Sequence, residues 1–234
     1  MNYLLEACLV ALALIASITP PVVAQSEAQA HPPLQKGISV GLPVTSNAVP
    51  LPDADREDAF IVTVTDSGSV YLGIGLTTPA ALAEKLRAGL SNRTEKQLYI
   101  KVDARTPYAS VVKVLDAVRT AGVETPSLLT AQTDSSEPGA VAPPNGFEIS
   151  LGRPIATSPE AVVLQALKSG QQRPTLKIND EQVPWAALQS TLRQLFQNGS
   201  ERVVLVKAEG TLPFADIVAV IDICGSTGAK IVLV

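Results

Sequence analysis

AALAEKLRAGLSNRTEKQLYIKVDARTPYASVVKVLDAVRTAG, residues 80–122, lies over AALQSTLRQLFQNGSERVVLVKAEGTLPFADIVAVIDICGSTG, residues 186–228, without a gap. About a third of the positions are identical, and a self-match of this length at a single offset marks an internal repeat. Leu82 falls on Leu188, Leu86 on Leu192, Arg87 on Arg193, Lys101 on Lys207, Pro107 on Pro213, Asp116 on Asp222 and Gly122 on Gly228. The chain is a tandem duplication, and whatever fold one copy adopts the other repeats.

Within the first copy, Leu82, Leu86 and Leu90 recur every fourth residue and mark one apolar helix face that must pack on something. Residues 97–102 read as a strand. Pro107 opens a second helix, with Val111, Leu115 and Val118 facing inward, and Gly122 stops it. Residues 125–130 form the last strand. Upstream, residues 60–65 and 70–72 flank the turn Asp66-Ser67-Gly68-Ser69 and read as a hairpin. The second copy repeats the order over residues 162–167, 176–178, a helix with Leu188, Leu192 and Phe196, residues 203–206, and a second helix. That last helix places Ile217, Ile221 and Cys224 on one face, which makes Cys224 a small buried hydrophobe. Strands alternating with helices require right-handed crossovers, which put both helices on one side of a small mixed sheet. The expectation is an α/β fold of two tandem two-layer sandwich modules.

Hydrophobic residues make up 46% of the 234 and aromatic ones 4%, so the core must come from Val, Leu, Ile and Ala in close layers. A net charge of −4 argues against a partner with a phosphate backbone, so no nucleic acid is expected. No phosphate loop, metal-ligand cluster or nucleophile elbow is present, and His31 is the only histidine. No enzymatic activity, cofactor or metal is therefore expected. Residues 131–146, rich in Ser, Pro, Gly and Ala, read as a flexible connector between a first module at 37–130 and a second at 147–234. Asp116 and Asp222 hold equivalent places, as do Lys101 and Lys207, which invites a structural charge pair in each module.

Residues 1–24 admit two readings. From Tyr3 to Thr19 the only acidic or basic side chain is Glu6, and Pro20-Pro21 end any helix. Val22-Val23-Ala24 offers small residues to a signal peptidase, which would leave a soluble exported protein. Alternatively the segment is a retained single-pass helix, and Glu6 is then an acid inside the membrane. Residues 25–36 read as a spacer.

Four stretches of the first copy resemble the ExbD/TolR family of biopolymer-transport proteins: Ile38-Ser39-Val40-Gly41-Leu42-Pro43; Val62-Thr63-Val64 through Val70-Tyr71-Leu72; Tyr99-Ile100-Lys101-Val102-Asp103; and Pro107-Tyr108 through Asp116 to Gly122-Val123. The second copy echoes them in Ile149-Ser150-Leu151, Val206-Lys207-Ala208-Glu209 and Pro213-Phe214-Ala215-Asp216. The resemblance implies one membrane helix, a small exported α/β domain, here present twice, and a place in the bacterial inner membrane with both modules in the periplasm. It implies an ExbB/TolQ-like channel protein and a TonB/TolA-like transducer as partners. It also sets Glu6 on the family's membrane aspartate, the group held to carry the translocated proton. The alternative is a secreted periplasmic binding protein for peptidoglycan or a protein partner. In either case the modules associate as a homodimer or as an intramolecular pseudo-dimer.

Overall fold

The computed structural model describes residues 37–91, 93, 97–132, 144–151, 161–197 and 202–234. Residues 1–36, Glu6 among them, and most of the connector lie outside the described residues. Among the described residues no helix is long and apolar enough to cross a membrane.

The first copy runs β1 (Val44–Thr45), β2 (Val49–Pro50), a 3-10 turn (Pro52–Asp55), β3 (Phe60–Val64), β4 (Val70–Leu72), β5 (Gly75–Thr77), α1 (Pro79–Leu90), β6 (Leu98–Val102), α2 (Tyr108–Thr120) and β7 (Ser127–Gln132). After the connector come β8 (Asn145–Glu148), β9 (Val162–Leu167), β10 (Thr175–Ile178), β11 (Glu181–Val183), α3 (Leu188–Gln197), β12 (Val203–Ala208), α4 (Phe214–Gly225) and β13 (Lys230–Leu233). The first helix starts where its chemistry says it should. Thr78 takes the N-cap and its hydroxyl accepts the Ala81 N–H at 3.3 Å, with Pro79 as the first helical residue. The turn between β10 and β11 is Asn179-Asp180, both at positive φ, which is the two-residue hairpin turn whose twist matches that of its strands.

The two sheets, of eight and five strands, share one five-stranded topology. In the first, β7, β6 and β3 run parallel and β4 and β5 continue antiparallel; in the second, β13, β12 and β9 run parallel and β10 and β11 continue antiparallel. Leu82, Leu86 and Leu90 of α1 and Val111, Val114 and Val118 of α2 are buried against Val62, Val64, Ile100 and Leu128 of the strands. Leu188 and Leu192 of α3 and Ile217, Ile221 and Cys224 of α4 do the same against Leu164, Val204 and Val206. All of these belong to one continuous hydrophobic cluster that spans both copies, so the modules are fused at their cores.

The architecture departs from two simple two-layer sandwiches in two places. The face of the first sheet turned away from the helices is also covered: Ile61, Tyr99 and Leu129 form a second cluster with Ala54 of the 3-10 turn, and Leu51 and Ala59 pack on it. Residues 145–148, at the end of the expected connector and the start of the expected second module, are a strand of the first sheet, antiparallel to β7. Beyond β8 the segment runs on. Ile149 and Leu151 donate to the carbonyls of Pro126 and Glu124, while Ser150 donates to Ile231 and accepts from Leu233 at 2.8 and 3.0 Å. One short segment therefore pairs with both sheets.

Candidate functional site

The residues that join the copies precede the second helix of each. Pro107 and Pro213 face each other in an antiparallel bridge. On one side of it Tyr108 N–H donates to Leu212 O and Ala109 N–H to Gly210 O, both at 2.9 Å. On the other side Phe214 N–H donates to Thr106 O and Ala215 N–H to Ala104 O, again at 2.9 Å. In the repeat, Phe214 is the counterpart of Tyr108, Leu212 of Thr106, Ala215 of Ala109 and Gly210 of Ala104. Each bond thus has a partner bond with the two modules exchanged, which is the mark of an isologous, two-fold contact. Fit at the seam is tight: a Cβ on Gly210 would stand 2.8 Å from the Ala109 Cβ.

Tyr108 and Phe214 are each 1% exposed at equivalent places. Among the described residues the Tyr108 hydroxyl has no hydrogen-bond partner, and burial, helped by Asp116, pushes its pKa up to about 12. A buried hydroxyl without a partner is a cost that an aromatic ring of the same shape does not carry, and Phe214 shows that the fold accepts the plain ring. Tyr108→Phe is therefore expected to leave stability unchanged or raise it by up to about 1 kcal/mol. Urea denaturation checks this, and a loss of stability would reveal a partner for the hydroxyl.

Next to the seam, Asp103 is 3% exposed and binds the chain that enters the first module. Its carboxylate accepts from Arg105 Nε at 2.9 Å, from Arg105 N at 3.0 Å and from Gly41 N at 3.0 Å, and Ala104 N–H donates to Gly41 O. The Arg105 guanidinium is the chief cause that holds this carboxyl down to about 2; the two backbone N–H groups add to it, against the opposing effect of burial. A carboxyl lowered in the folded state contributes stability that is complete above its unfolded value near 4 and is lost as pH falls toward 2. Acid titration of the unfolding free energy is expected to drop across that window, and Asp103→Asn to flatten the drop.

The paired charges expected from the repeat have different neighbours. Asp116 meets Arg119 one helical turn along α2 at 2.7 Å. Asp222 accepts the backbone N–H groups of Ser46 at 3.1 Å and Asn47 at 2.8 Å, so α4 of the second module holds the turn between β1 and β2 of the first. Lys101 alternates with Ile100 and Val102 and so lies on the sheet face away from α2; it is 2% exposed, and burial lowers its pKa. Lys207, its counterpart, is exposed on β12. Glu6 lies outside the described residues. Cys224 is fully buried, which pushes its thiol up to about 12, well away from a reactive thiolate. A cleft of about 700 Å³ opens beside the 3-10 turn between Asp53, Arg56, Asp58, Phe60, Arg93 and Tyr99. Its charges are engaged with one another, Arg56 with Asp53 and Asp58, and Arg93 with Asp58 and the Phe60 ring.

Sequence reasoning named Tyr108 and Phe214 only within stretches that resemble the family, did not single out Thr106 or Gly210, and assigned none of the four to a seam. The signal was present in the repeat: Pro107 with Pro213 and Ala109 with Ala215 are identities at a loop-to-helix junction, where a free surface would tolerate change.

A seam built from two equivalent modules is matched by the comparison with known families. The family model described as "Biopolymer transport protein ExbD/TolR" matches residues 28–133 and again residues 128–234. The chain belongs to the ExbD/TolR family. No curated protein and no solved structure matches it. The two family matches fall on the two copies seen in the repeat and in the two sheets, so the seam joins one ExbD/TolR module to another. Membership makes the chain a component of biopolymer-transport energy transduction, in a family of inner-membrane proteins.

Proposed function

We propose that this chain is the inner-membrane component of a proton-motive-force-driven transport complex. Residues 1–24 are its retained membrane helix, Glu6 is its proton-carrying acid, and both modules stand in the periplasm. The observation that carries this reading is the double ExbD/TolR match behind a hydrophobic segment with a lone carboxylate. A low-dielectric surrounding disfavours a charged carboxylate, so an acid there can take up a proton from one side and release it to the other. An ExbB/TolQ-like protein supplies the channel around it, and a TonB/TolA-like transducer receives the movement. The modules contribute binding and movement, without catalysis, cofactor or metal.

The seam favours one element of the second reading, a secreted binding protein for peptidoglycan or a protein partner, since that reading also needs an intramolecular pseudo-dimer. Intact mass and membrane fractionation of the expressed protein separate the two. A membrane-bound product that keeps Met1 is expected, and a soluble product starting near Gln25 would sink the motor role. Within the motor reading, Glu6→Gln is expected to abolish energised uptake at unchanged protein level, with Glu6→Asp retaining it. Full uptake by the Gln variant would mean that Glu6 carries no proton.

A further inference from the structure

We propose that one copy of this chain takes the place of a symmetric pair: the seam is closed within the chain, the protein is a monomer, and an assembly built on it receives Glu6 once for every two modules. The last clause rests on the proposed role of Glu6; the first two stand on the seam alone.

The reciprocal bonds define a self-complementary surface. Tyr108, Ala109 and the Thr106 carbonyl on one module meet Phe214, Ala215 and the Leu212 carbonyl on the other, each group satisfying the equivalent of its own partner. A module with this surface and no covalent neighbour would have to find it on a second chain. Here the neighbour is tethered, and a tether short enough to span its sites gives an effective concentration of about millimolar order, which favours closure within the chain over capture of a second copy.

Three further contacts, none of them part of the two-fold pattern, hold the modules in one arrangement. Residues 145–151 pair with both sheets. Asp222 of the second module binds Ser46 and Asn47, between β1 and β2 of the first. The Phe147 ring lies against Gly225 of α4 so closely that a Cβ there would be 2.8 Å from it. The competing arrangement is a module swap, in which two chains form the same seams crosswise.

Disulfide trapping separates them. In the full chain with Cys8→Ser, Ala104→Cys is combined with Ala215→Cys, and in a second variant Ala109→Cys with Gly210→Cys. Buried Cys224 stays in place. Oxidation is expected to give a single-chain product that runs ahead of its reduced form on a gel, and native mass spectrometry of the unmodified chain in mild detergent the mass of one chain. Disulfide-linked dimers, or a two-chain mass, would overturn the proposal, as would the absence of any disulfide from both folded variants. None of these results bears on Glu6, and a silent Glu6→Gln would leave the monomer intact, so the two readings fail separately.

Discussion

Phe214→Ala is expected to cost about 3–5 kcal/mol and to unfold both modules in one transition. Phe214 is 1% exposed and opens α4 at the seam, with its backbone N–H bonded to Thr106 of the other module. Truncating a ring in such a place removes its transfer free energy and leaves a cavity in the hydrophobic cluster that the two modules share. Because the hydrophobic cluster is continuous across the copies, the loss is felt in both. Urea denaturation followed at once by far-ultraviolet circular dichroism and by Trp185 fluorescence checks this: coincident, shifted transitions are expected. Two separate transitions, with the first module unmoved, would mean that the modules are independent and that the seam contributes little.

Which parts of this architecture were legible in the sequence follows from the range of the interactions involved. The four helices were readable because their burial is periodic: Leu82, Leu86 and Leu90 sit four apart and all three are buried. Cys224 was readable for the same reason, as one more position on the buried face of α4. The seam was not, because residues 104–109 determine locally only a loop and a helix start; their partners lie a whole module away. Nor was the second cover of the first sheet. Leu51-Pro52-Asp53-Ala54-Asp55 looks like a solvated acidic turn, and only the fold shows Leu51 and Ala54 pressed on Ile61, Tyr99 and Leu129. Lys101 and Lys207 carry the lesson furthest: identical in the repeat, one is buried and the other exposed, so equivalence in sequence did not bring equivalence of environment. The reading of Glu6 rests on family and chemistry, since residues 1–36 lie outside the described structure.

The segment that pairs with both sheets sets the other large expectation. Gly146→Ala should destabilise the protein by about 3 kcal/mol, the upper end of the cost of overpacking. Gly146 stands opposite Leu129 in β7 on one side and Val49 in β2 on the other. A Cβ built on it collides with the carbonyl oxygen of Leu128 and stands 2.7 Å from Leu51 Cδ1. The first of these atoms is backbone in a central ladder and cannot swing aside, so β8 itself has to move, as a glycine at a close backbone approach implies. Moving β8 shifts Phe147 off Gly225 and pulls Ser150 from its bonds to Ile231 and Leu233, so the strain reaches the second sheet. Gly170→Ala is the control: a Cβ there meets nothing within 4 Å, and its effect should stay within about 0.5 kcal/mol. Equal stabilities for the two alanine variants would mean that β8 is not held between its neighbours, and that the modules are joined by the two-fold seam alone.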